Sequence, residues 1–162
     1  MNKIEKQKQY QKQIYGNPNW INGRINRSEY FRRNFFLNLS QTASFYGFIF
    51  GIGLSIESKS FLGYILILVC GFLIPWTQWC ILMNRIKRAH DLNWSGWTTF
   101  PFILFEIFLF VIGLISAEVP ELIYISIFIY ISYLIYCLMF LFKKGTQGIN
   151  RYGKNPLEIL SK

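Results

Sequence analysis

Residues 122–142, LIYISIFIYISYLIYCLMFLF, run for 21 positions without a charged side chain. A helix of that length is about 31 Å long at 1.5 Å per residue, close to the roughly 30 Å hydrocarbon thickness of a bilayer. Three similar stretches precede it, Phe35 to Ile56, Phe61 to Met83 and Trp97 to Ala117. With 52% hydrophobic, 19% aromatic and only 15% charged residues in 162, the composition excludes a disordered, collagen-like or disulfide-scaffold chain. The expected fold is all-α: a polytopic membrane protein with four transmembrane helices as two antiparallel hairpins. The first and third connectors, Glu57 to Ser60 and Glu118 to Glu121, are too short for any other return.

Working outward, residues 1–16 form a Lys- and Gln-rich tail with little apolar periodicity. Residues 17–33 mix turn signals (Asn17-Pro18, Asn22-Gly23) with Trp20 and Ile21 and a Ser28-Glu29 helix start, so they are expected to lie along the interface as a short N-terminal helix. The membrane domain then covers residues 34–142, and residues 143–162 form a Gly- and Lys-rich tail. The first apolar block begins only at Phe35, so it is expected to stay as an anchor. Pro101 falls in the first turns of the third helix, whereas Pro75 lies in mid-span and is expected to bend the second. Ser95 is the expected cap of the third.

The net charge of +9 would suggest nucleic acid in a soluble chain, but the cations sit at the ends of the apolar blocks. Eight Lys and Arg precede the first span, one lies in the first connector, three in the second, none in the third and five after the last. Alternate sides therefore hold sixteen and one. Because positive residues stay inside, both termini and the middle connector are expected in the cytoplasm of a cell whose inner, or plasma, membrane carries the protein. Cys70, Cys80 and Cys137 lie inside apolar blocks without metal or redox spacing, and His90 is a lone histidine. No metal, haem or quinone is expected, and no cofactor of any kind.

Polar groups inside the spans are the first set of candidates. Glu106 lies about 13 Å into the third helix, with no Lys or Arg assigned to that depth, so desolvation favours the neutral acid donating to Tyr130 or Tyr133. That arrangement is either a structural hydrogen bond or a proton- or ion-coupling site. Asn38 and Gln41 on the first helix and Gln78 on the second outline a polar seam, which is either helix glue or a hydrated vestibule. Gly47 and Gly51 have the spacing of a close helix contact and allow either a homo-oligomer or packing within the chain.

The second set lies in three polar segments expected on one side of the membrane, with Arg24 and Arg27, then Arg88, His90 and Asp91, then Asn150, Arg151 and Lys154. Guanidinium groups fit carboxylates and phosphates bidentately, and cations outnumber anions, which points to anionic headgroups or an acidic protein partner. Gly148 to Lys154 reads G-x-x-x-x-G-K, but Asn155 stands where a phosphate-binding loop needs Ser or Thr and no strand precedes it. His90-Asp91 has no nucleophile beside it, so the reading leans against an enzyme. The expected function is a non-enzymatic membrane module with a basic binding face. The alternative is a small-solute, ion or proton carrier or channel that uses Glu106 and the seam.

Those three segments resemble the YhaH-like bacterial inner-membrane proteins, the family catalogued as domain of unknown function 805. Its G-R-x-x-R-S-E-[FY] motif is matched by Gly23 to Tyr30, its R-x-H-D with S-G-W by Arg88, His90, Asp91 and Ser95 to Trp97, and its G-T-x-G-x-N-R-Y-G-x-x-P by Gly145 to Pro156. Departures are confined to Lys87, Ala89 and Thr98. The resemblance implies a small polytopic inner-membrane protein and brings no activity with it.

Overall fold

The computed structural model describes residues 4–5, 23–115, 119 and 121–155. The helices are α1 (Arg27–Glu57), α2 (Phe61–Asp91), α3 (Phe100–Ile115), entered through a 3-10 turn at Gly96–Thr99, and α4 (Leu122–Phe142). The spans Arg27–Glu57, Phe61–Asp91, Gly96–Gly113 and Leu122–Phe142 are each long and apolar enough to cross a membrane. Among the described residues there is no sheet, only an isolated bridge between Asn150 and Gly153. Phe, Trp, Ile and Leu side chains stand exposed along all four helices, as lipid contact requires. The chain is a multi-pass membrane protein.

The N-terminal helix expected over 17–33 is not separate from the first span. Arg27 to Arg33 form the opening turns of the 31-residue α1, because Glu29 bonds Arg32 and Arg33 three and four residues on and suits a helix N-terminus. Most of the tail 1–16, together with residues 17–22 and 156–162, lies outside the described residues. Two helix ends use left-handed residues other than glycine. Lys59 (φ 48°) follows α1, with Ser60 N–H reaching back to Leu54 O at 3.4 Å. Asn93 (φ 60°) follows α2, with Trp94 N–H on Ala89 O at 2.8 Å and Asn93 N–H on His90 O at 3.0 Å, the pairing of a Schellman end. Helix α2 continues through Pro75. Ser95 occupies the cap position with extended backbone, but its side chain makes no cap bond. Its carbonyl instead accepts Thr98 N–H and Thr98 Oγ1–H.

The chain divides into two compact units, Ser28–Asn84 and the combination of Met1–Arg27 with Arg85–Lys162. Within the first, α1 and α2 pack antiparallel: Asn34 meets Asn84, Gln41 meets Gln78, and Gly47 faces Cys70 while Gly51 faces Leu66 and Ile67, one number falling as the other climbs. A Cβ on Gly63 would lie 2.8 Å from Ser55 N and 2.9 Å from Gly51 O, both backbone atoms. Gly47 and Gly51 thus face this chain's own α2. Within the second unit, α3 and α4 are joined by a ring cluster, with Phe102 centred 4.6 Å from Tyr136 and 4.9 Å from Phe140, and by Tyr136 O–H on Thr98 O at 2.6 Å.

Gly63→Ala is expected to destabilise the purified protein by about 1–3 kcal/mol through overpacking against backbone. Gly53→Ala, where nothing lies within 4 Å, should leave the melting temperature in detergent unchanged or slightly raised. Equal melting temperatures for Gly63→Ala and wild type would contradict the packing.

Candidate functional site

Left-handed Gly23 (φ 109°) turns the chain just before Arg24, and Ile25 N–H then bonds Lys87 O at 3.4 Å, docking this segment on the polar end of α2. Arg24 is completely surrounded, its side chain 0% exposed. Its five N–H groups make five bonds to four acceptors: Nε and Nη2 on Asp91 Oδ1 (3.2 and 3.0 Å), Nη1 on Gly148 O (2.9 Å) and Gly153 O (3.1 Å), and Nη2 also on Thr146 O (2.6 Å). Arg88, equally buried, donates to the other carboxylate oxygen of Asp91 and to Phe140 O (3.0 Å) and Lys143 O. Those two carbonyls belong to the C-terminal end of α4, so Arg88 serves as its cap.

The C-terminal segment is built to reach this centre. Thr146 N–H and Oγ1–H both bond Asp91 O, at 2.8 and 3.0 Å, and a Cβ on Gly145 would overlap the Asp91 carboxylate. Asn150 organises the turn, donating to His90 O and Thr146 Oγ1 (both 2.9 Å) and accepting Tyr152 N–H (2.9 Å). His90 stacks on Tyr152 with ring centres 3.8 Å apart and planes within 8°. Its Nδ1 lies 3.2 Å from Gly23 O, and since a carbonyl only accepts, Nδ1 carries a proton. Three sequence segments distant in the chain are thus bonded into one lock.

A second polar cluster contradicts the expectation of an unaccompanied acid in α3. Arg85 Nη2 lies 2.8 Å from Glu106 Oε1 and 2.9 Å from Tyr133 Oη, Tyr133 donates to Glu106 Oε1 at 3.1 Å, and the guanidinium sits 4.4 Å from the Phe102 ring centre. The reason is that α2 does not stop at Met83: it stays helical to Asp91, so Arg85 lies on a helix flank, not in a loop. Tyr130, the other expected partner, is 56% exposed. Of the seam, Gln41 donates to Gln78 at 2.9 Å, Asn84 to Asn34 at 3.2 Å, and Asn38 to Asn34 O of its own helix.

A family model described as a protein of unknown function, DUF805, matches residues 20–154. The chain belongs to this family. Neither a curated protein nor a solved structure matches it. In this DUF805 chain the eight residues expected to bind a headgroup or partner separate into two groups. Arg24, Arg88, His90 and Asp91 are buried, and Asn150 is spent on the turn; none of the five offers a side chain to an outside ligand, because backbone carbonyls and Asp91 already occupy the guanidinium donors. Arg27, Arg151 and Lys154 are exposed. Lys143 and Lys144 are exposed too, Lys143 with Nζ 4.2 Å from the Trp94 ring centre. The sequence reading passed over these two lysines, though their position just past an apolar run marked them as interfacial.

Asp91→Ala is expected to cost about 3–5 kcal/mol, since it leaves two buried guanidiniums without a carboxylate. Gly145→Ala should loosen the same lock, read as faster limited proteolysis within residues 145–155 and a lower melting temperature. For Glu106, replacement by Leu strands Arg85 and should destabilise comparably, whereas Glu106→Gln keeps the hydrogen bond to Tyr133 and should lose less; thermal melts in detergent compare the three.

Proposed function

We propose that this protein is a non-enzymatic module of a bacterial inner membrane, termini and middle connector in the cytoplasm, whose basic face binds anionic lipid headgroups. The observation that carries this reading is the division of the cations: Arg24 and Arg88 are spent inside, while Arg27, Lys143, Lys144, Arg151 and Lys154 stand exposed. Asp91, the only carboxylate in residues 85–99 and 143–155, is buried. No acid of those two segments is exposed, and each exposed cation near an anionic leaflet adds about 1 kcal/mol of attraction. The sixteen-to-one distribution of Lys and Arg supports the cytoplasmic assignment.

The test replaces Arg27, Lys144, Arg151 and Lys154 together with Gln and compares phosphatidylglycerol and cardiolipin retained through purification. A several-fold loss with an unchanged melting temperature is expected. Unchanged lipid recovery rejects the headgroup reading, and new loss of a copurifying protein instead would assign the face to a protein partner. A reporter fused after Lys162 should be active in its cytoplasmic form.

A further inference from the structure

The turn after α4 alternates. Thr146, Gly148 and Asn150 point bonds inward, to Asp91 O, Arg24 and His90 O, so Gln147, Ile149 and Arg151 are turned outward. Ile149 is 74% exposed at the centre of this turn, behind left-handed Gly148 (φ 73°) and ahead of the Asn150–Gly153 bridge. A single exposed aliphatic residue is ordinary on a protein surface. This one is held out by a rigid backbone, with exposed Lys144, Arg151 and Lys154 near it in sequence and no acid in residues 143–155.

Its depth can be bounded. The turn leaves α4 at Phe142, where the apolar span ends, and is bonded to Asp91 at the C-terminal end of α2. Arg88, one turn before Asp91, also bonds Phe140 O and Lys143 O, so both attachments of the turn lie at the end of the apolar span, where the headgroup layer, about 5 to 8 Å thick on each side of the hydrocarbon, begins. We propose that the Ile149 turn is a lipid-insertion tip that dips its side chain among the glycerol groups of the protein's own leaflet while Lys144, Arg151 and Lys154 take the phosphodiesters of anionic lipid. This rests on the headgroup reading above and specifies its site. An apolar tip beside cations at this depth gains both from burial and from charge, and the bonds from Arg24 and Asp91 fix the turn beforehand, so little ordering cost remains at binding.

The full chain, with Cys70, Cys80 and Cys137 changed to Ala, carries a nitroxide at Ile149→Cys or at Gln147→Cys in nanodiscs of phosphatidylcholine alone or mixed with phosphatidylglycerol. Collisions with oxygen and with a water-soluble nickel chelate report depth. Expected is a several-fold lower nickel accessibility at 149 than at 147 in the mixed discs, with the difference reduced by Lys144→Gln, Arg151→Gln and Lys154→Gln together. Equal nickel accessibility at the two sites overturns the tip, as does equal protection of 149 in lipid-free detergent, which would mean protein contact. Should the cysteine-free background not fold, Ile149→Asp in the native chain must lower phosphatidylglycerol enrichment over phosphatidylcholine several-fold, and unchanged enrichment again overturns the tip. If wild type shows no enrichment, the headgroup reading fails and takes the tip with it; enrichment with a hydrated Ile149 removes the tip alone.

Discussion

A carboxylate shared by two buried guanidiniums is the constraint on which the polar end of this protein depends. Asp91 gives one oxygen to Arg24 and the other to Arg88, and each arginine spends its remaining donors on backbone carbonyls. Two cations against one anion would be prohibitive in an apolar interior without those carbonyls. The compensation explains why the residue types are what they are. A lysine at position 24 has three donors on one atom and cannot make five bonds to four acceptors set around a plane, and any side chain at 145 would occupy the space of the Asp91 carboxylate. Gly153 (φ 125°) lets the turn present its carbonyl to Arg24.

The same chemistry produces two populations of cation that composition cannot separate. Arg24 and Arg27 are three residues apart, equally basic and in one motif, yet one is fully buried and the other exposed. What decides is the backbone around them: Arg24 precedes α1 in an extended stretch laid against the end of α2, whereas Arg27 is already on the helix. A motif rich in arginine thus serves first to join segments of the chain, and only its remainder is offered to a ligand.

The four spans were legible because about twenty apolar residues have few other fates, and the two hairpins because their connectors are short. The three polar motifs were legible as neighbours. Their roles were not, since the pairing of Arg24 with carbonyls of Gly148 and Gly153 involves atoms that every residue has and no side chain announces. The misreading of Glu106 has a definite origin: hydropathy ends a span where charge begins, at Met83, but hydrogen bonding does not, and the two extra helical turns carry Arg85 to Glu106. Trp94-Ser95 suggested a side-chain cap, while the chain ended α2 with left-handed Asn93 and entered α3 through a 3-10 turn.

The bare end of α4 gives the lock its reason. Helix α4, with 21 residues, is only as long as the hydrocarbon is thick, so its last carbonyls emerge at a level where water is scarce and every helix leaves several unbonded. Helix α2 brings Arg88, one turn before its own C-terminal end, to that level. A guanidinium delivered from one helix to the bare end of another satisfies Phe140 O and Lys143 O, places positive charge where the helix dipole is negative, and needs a carboxylate to offset its own burial. Asp91 supplies it one turn on, and the second oxygen of that carboxylate is what recruits Arg24 and, through it, the C-terminal turn. The binding face is in this sense the outer surface of a helix cap.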